Sequence, residues 1–115
     1  MIILLSKVLF YLDDKECEPT LQNGDTMQDL NADIIRCTQA IELNPKDVSA
    51  YLARGRAHRF QGENQEAIED YTKAIELSPK DSSGYTNREQ VYRSMGKIKE
   101  ADADFAKAKQ LQPKR

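Results

Sequence analysis

The sequence predicts an all-α protein: an α-solenoid of about three stacked antiparallel helix–turn–helix units, the first of them divergent. Three observations carry that prediction. The chain resembles itself at a fixed interval of 34 residues. Proline and glycine recur at the same two places within each interval. Alanines seven apart mark one helical face in each full copy. Fixed-period self-similarity of this length is the signature of a repeat architecture, in which each unit buries its faces only by stacking on a neighbour.

Residues 45–78 and 79–112 align without a gap, and 14 of 34 positions are identical. Upstream, DLNADIIRCTQAIELN (29–44) lines up with ENQEAIEDYTKAIELS (63–78), and Pro-Lys-Asp follows both. The period is therefore present twice in full, preceded by the second half of an earlier copy.

The chain begins with MIILLSKVLFYL, in which ten of twelve residues are apolar. This run is too short to span a bilayer, which takes about 20 residues. Acidic and basic residues follow it at once, where a secretory signal would have a small-residue cleavage site. Leu5, Val8, Leu9 and Leu12 share one helical face. Two readings stay open, a buried helix and a membrane-associated or signal-derived segment. The next stretch, DKECEPTLQNGDTM (14–27), has proline, glycine and no helical period, and so reads as a loop. Residues 1–28 are thus expected to be an apolar N-terminal helix plus an insertion loop, a divergent start to the first unit. The helix is expected to pack against the one carrying Ile34 and Ile41. The repeat domain proper is expected over 29–113.

Within each full unit the punctuation predicts two helices. Asp47 and Asp81 stand just before an apolar-periodic run, where a short acceptor side chain satisfies the free amides of a helix start. The first helix is expected to end near Gln61 or Met95, before Gly62 and Gly96, a residue type suited to a left-handed turn. The second is expected over 64–77 and 97–111. Pro45, Pro79 and Pro113 close the units, because proline cannot continue a helix interior.

At these positions the unit resembles the tetratricopeptide repeat. The signature order of aromatic, small, aromatic, alanine, aromatic, alanine, proline falls on Tyr51, Gly55, His58, Ala67, Tyr71, Ala74 and Pro79. In the last unit it falls on Tyr85, Glu89, Tyr92, Ala101, Phe105, Ala108 and Pro113. The resemblance covers 45–113 closely and 29–44 in part. It departs at His58, where tyrosine is usual, and at Glu89, where a small residue permits close helix contact. The last unit is expected to be looser for that reason. Small alanines let the paired helices approach, and Tyr51, Tyr71, Tyr85 and Phe105 are expected to fill the space around them.

Ile34 and Ile41 correspond to Ile68 and Ile75, but in the last unit the same places hold Asp102 and Lys109. Isoleucine there is expected to pack on the following unit, and charge there suits water, as terminal repeats require. The array is therefore expected to stop at this unit. Arg54 and Arg88 each have an aspartate sixteen residues later, Asp70 and Asp104, a repeated spacing that predicts an ion pair across each hairpin.

Catalytic chemistry is thinly provided. One histidine and two cysteines, Cys17 and Cys37, make neither a zinc site nor a disulfide framework. The thiols are expected to be reduced, which suits a cytoplasmic protein. No activated nucleophile, phosphate loop or carboxylate pair accompanies His58, which reads as a packing residue. Hence no enzyme, cofactor or metal is expected. A net charge of −2 argues against nucleic acid. Membrane contact is expected only through residues 1–12, and the chain is expected to be a monomer.

The first helices are basic. Residues 49–60 carry Arg54, Arg56 and Arg59 with no acid, and 82–95 carry Arg88 and Arg93 against Glu89, for +3 and +1. In tetratricopeptide arrays these helices line a concave groove that receives peptides. The resemblance therefore implies a groove faced by Ser49, Leu52, Arg56, Arg59, Ser83, Thr86, Asn87, Gln90 and Arg93. A basic groove favours an acidic partner segment or a C-terminal carboxylate; the competing reading is a solvated charged face. The family's two-carboxylate clamp for chaperone tails is not expected. Asn87 matches one clamp position, but Leu52 and Arg56 stand where lysine and asparagine belong. The function implied is a non-enzymatic protein-interaction module, adaptor or scaffold. The alternative is an assembly or membrane-associated element attached through the apolar N-terminus.

Overall fold

The structure, a computed structural model, describes residues 27–112. Over this span the chain forms five helices: α1 (Met27–Leu43), α2 (Val48–Phe60), α3 (Asn64–Leu77), α4 (Ser82–Ser94) and α5 (Ile98–Leu111). Among the described residues there is no strand. The expectations for residues 1–26 lie outside the described residues. Met27 is already helical, so α1 takes in the last residues of the stretch expected to be loop.

The helix limits follow from the capping residues. Asp47 Oδ1 accepts from the Ala50 amide at 3.3 Å, and Asp81 Oδ1 accepts from the Ser83 amide at 2.9 Å. Each cap adds a side-chain acceptor at a helix start, where the usual carbonyl one turn back is missing. Gly62 and Gly96 take φ of 82° and 79°, so the chain turns in the left-handed region at both hairpins. That region costs residues with a Cβ about 1–2 kcal/mol.

Neighbouring helices pack in sequence, α1 on α2, α2 on α3, α3 on α4 and α4 on α5, and α2 also touches α4. The first helices of the two full units are thus in direct contact. The core sits where these layers meet: Tyr51, Leu52, Ala67, Ile68, Tyr71, Ala74 and Val91 form one cluster, with Ile41, Val48, Leu77, Tyr92 and Met95 packed against it. Gly84 lies so close to Ile75 that a Cβ there would fall 2.7 Å from Ile75 Cγ1. The isoleucine stripe therefore seats on the next unit, while Asp102 and Lys109 are exposed.

Two expectations are corrected. Phe105 is 55% exposed, whereas its counterpart Tyr71 is wholly buried. Among the described residues no further helix covers Phe105, and Glu89 replaces the glycine on which Tyr71 lies. Cys37 is wholly buried and disulfide-bonded, so the expectation of a reduced thiol does not hold at that position.

Candidate functional site

Helices α2 and α4 carry five arginines, Arg54, Arg56 and Arg59 on the first and Arg88 and Arg93 on the second. Arg54 donates from Nε and Nη2 to the two Asp70 carboxylate oxygens at 2.9 and 2.7 Å, and from Nη1 to Thr38 Oγ1 at 3.2 Å. Arg88 repeats the pattern with Asp104 at 2.8 and 2.7 Å and with Thr72 at 3.0 Å. Their hydrogen bonds to carboxylate raise both guanidinium pKa values above the ordinary arginine range, against the opposing effect of burial. These are the ion pairs the spacing predicts, and each arginine also reaches back to the preceding unit. His58 stands beside the first of them, with Nδ1 2.9 Å from Glu63 Oε1 and Nε2 3.9 Å from Asp70 Oδ2. It bridges its helix to the hairpin turn.

The expected groove residues divide by what they touch. Ser49 and Ser83 are tied to the helix caps, Ser49 Oγ donating to Asp47 at 2.7 Å and the Ser83 amide to Asp81. Thr86 Oγ1 donates to the Ser82 carbonyl at 3.0 Å, and Asn87 is half-buried beside it. Leu52 is 9% exposed and belongs to the core cluster with Val91 of α4. Leu52 therefore contributes to packing between units. Arg59 Nη1 donates to Gln90 Oε1 at 2.6 Å, which joins α2 to α4. Arg93 is held by Glu89 at 2.6 Å and by Asp102 at 3.3 Å, so its charge is answered within the chain.

The basic balance of the first helices thus contracts. Of Arg54, Arg56, Arg59, Arg88 and Arg93, only Arg56 and Arg59 have no carboxylate partner among the described residues. Both belong to α2, three residues apart and hence on adjacent positions of one face. Sequence reasoning missed Tyr71 at this place. Its hydroxyl is buried and has no acceptor of normal geometry for its proton, while Arg59 and Arg56 lie close enough to act on it electrostatically. Burial pushes the phenol up to about 12.

Among the described residues no group of three or more His, Cys, Asp or Glu is placed to hold a metal. Nor is any described helix long and apolar enough to cross a membrane.

Residues 48–81 and 85–115 match the tetratricopeptide repeat family. Solved structures resemble the chain over most of its length. The tetratricopeptide domain of Arabidopsis OM64 is 32% identical, with a TM-score of 0.71, over 76% of this chain and 73% of that one. The crystal structure of MamA is 31% identical with a TM-score of 0.70; the match covers 72% of this chain but only 48% of MamA, so the chain spans about half of that protein. The second tetratricopeptide domain of Spaghetti, bound to the HSP90 peptide SRMEEVD, is 25% identical with a TM-score of 0.69, over 73% of this chain and 78% of that one.

Proposed function

The chain belongs to the tetratricopeptide repeat family, and from that membership we propose that it holds an acidic segment of a partner protein against the face shared by α2 and α4. Tetratricopeptide repeats bind protein or peptide partners and are generally a non-catalytic fold, so the chain is a protein-interaction module. The choice of partner rests on the surface and not on the fold.

The observation that carries the acidic reading is the pair Arg56 and Arg59. Every other arginine of α2 and α4 is neutralised by a carboxylate of the chain itself, and these two are not. A partner carboxylate gains charge-assisted hydrogen bonds here that no internal group already makes. The neighbour bound to SRMEEVD takes a peptide with three acidic residues, which supports the same chemistry in this chain. The two-carboxylate clamp is not carried over, since Asn87 alone matches it and Leu52 is in the core.

The test is a titration with acidic and basic peptide pools at low and moderate salt. The acidic pool is expected to bind, more weakly as salt screens the open face. Arg56→Glu combined with Arg59→Glu is expected to abolish that binding with helical content unchanged. Equal binding of the basic pool, or a double change without effect, would refute the reading.

A further inference from the structure

Tyr71 carries an unmet hydrogen bond. Its side chain is fully enclosed, and no donor or acceptor of normal geometry meets its hydroxyl. Native structures keep few such groups, and each one calls for an explanation. The ring lies on α2 where Gly55 has no side chain, so close that a Cβ there would stand 3.1 Å from Tyr71 Cζ. Arg59 is one turn beyond Gly55 and Arg56 is the next residue. Arg59 approaches the phenol without completing a bond of normal geometry. The hydroxyl therefore has Arg56, Arg59 and the already paired Asp70 around it, and no acceptor of normal geometry for its proton.

The last unit shows the same positions filled differently. Phe105, Glu89, Gln90 and Arg93 stand where Tyr71, Gly55, Arg56 and Arg59 do. The hydroxyl is gone, and Arg93 takes a carboxylate from Glu89 of its own helix, Nε to Oε1 at 2.6 Å. What the last unit supplies from within, the middle unit leaves open, because glycine replaces the glutamate.

We infer that Arg56, Arg59 and the Tyr71 hydroxyl form a carboxylate subsite in the middle unit. The inference rests on the acidic-segment reading above and names the atoms that read the acid. Arg59, which lies against the enclosed hydroxyl, swings toward an incoming carboxylate and opens the way to it; a carboxylate oxygen then accepts from the Tyr71 hydroxyl while the guanidiniums neutralise its charge. It also displaces the neutral Gln90 amide as the acceptor for Arg59, since bonds to an ionised acceptor are the stronger ones. The carboxylate comes from an Asp or Glu side chain or from a chain terminus.

Three short fluorescent peptides separate these sources on the full chain. One alternates Glu and Ser with both ends blocked, one is a Ser-Gly peptide with a free C-terminus, and one is the same Ser-Gly peptide with both ends blocked. At least one carboxylate peptide is expected to bind and the fully blocked neutral peptide is not; the one that binds identifies the source. Tyr71→Phe keeps the ring, as Phe105 does in the last unit, and is expected to weaken that binding roughly tenfold. On the unaltered chain the Tyr71 hydroxyl proton is expected to move downfield in the NMR spectrum as the peptide is added. If Tyr71→Phe binds as tightly as the unaltered chain and the proton does not move, the subsite is refuted. Loss of binding in the Arg56→Glu, Arg59→Glu variant would then show that the acidic reading itself survives. If neither carboxylate peptide binds, that reading falls and takes the subsite with it.

Discussion

Arg54 and Asp70 are joined by two parallel charged hydrogen bonds at 2.9 and 2.7 Å, across the hairpin between α2 and α3. The aspartate side chain is 7% exposed, so this is not a solvent-screened surface pair. Removing one partner of a buried pair strands the other, which costs up to about 3–5 kcal/mol where burial is complete. Because the Arg54 side chain keeps 22% of its exposure, the cost falls below that range. Asp70→Ala is expected to destabilise the chain by about 2–3 kcal/mol in urea unfolding. A cycle with Arg54→Ala should show a coupling of about 1–3 kcal/mol. Arg54→Lys should not restore the loss, since an ammonium cannot present the two-pronged fork.

Gly55 and Gly62 should fail for different reasons when changed to alanine. At Gly55 a Cβ would meet Tyr71 Cε1 at 2.6 Å, and an aromatic ring enclosed in the core has little room to move. Overpacking of this kind costs about 1–3 kcal/mol, partly offset by alanine's better helix propensity. At Gly62 nothing lies within 4 Å, and the loss comes from φ of 82° alone. About 1–2 kcal/mol is expected there. Near-ultraviolet circular dichroism should change for Gly55→Ala, which disturbs the tyrosine, and not for Gly62→Ala.

Stability should fall in strong base through Tyr71. Its phenol is raised from 10.0 to about 12, chiefly by burial, with Arg59 and Arg56 pulling the other way. Between those values the folded chain keeps a proton that the unfolded chain has released. Stability from this group is therefore complete below about pH 10 and lost as pH climbs toward about 12. Denaturant titrations across that window should show the unaltered chain losing stability faster than Tyr71→Phe, which has no phenol at that position to ionise.

The last unit should be the softer one. Phe105 is 55% exposed, and Ile98 of the same helix is also exposed. Phe105→Ala is expected to cost less than about 1 kcal/mol, against about 3–5 kcal/mol for Tyr71→Ala. In native-state hydrogen exchange the amides of α5 should open at lower free energy than those of α3.

The repeat register, the caps at Asp47 and Asp81, the turns at Gly62 and Gly96 and both arginine–aspartate pairs are legible in the sequence because each depends on spacing alone. The groove is less legible. Leu52 falls on the ligand face that the family resemblance implies, yet the direct packing of α2 on α4 closes over it. That closure depends on how far one unit rotates on the next, which no local pattern encodes. Arg93 adds to the basic sum by composition, but its bond to Asp102 crosses a hairpin at a spacing of nine residues that has no counterpart in the middle unit. The Tyr71 hydroxyl is harder still. Its residue type and spacing announce a core aromatic, and the missing partner is a property of one atom.

The bonds from Arg54 to Thr38 and from Arg88 to Thr72 both run backward, from one unit to the hydroxyl of the unit before it. The array therefore has a polarity of growth. A duplicated stretch of residues 45–78, inserted after Ser78, would find Thr72 waiting behind it and would offer its own threonine to Arg88. A unit appended after residue 112 would find Ala106 at that place, with no oxygen to receive its arginine. Lengthening by internal duplication keeps every latch, and extension at the far end begins with one missing.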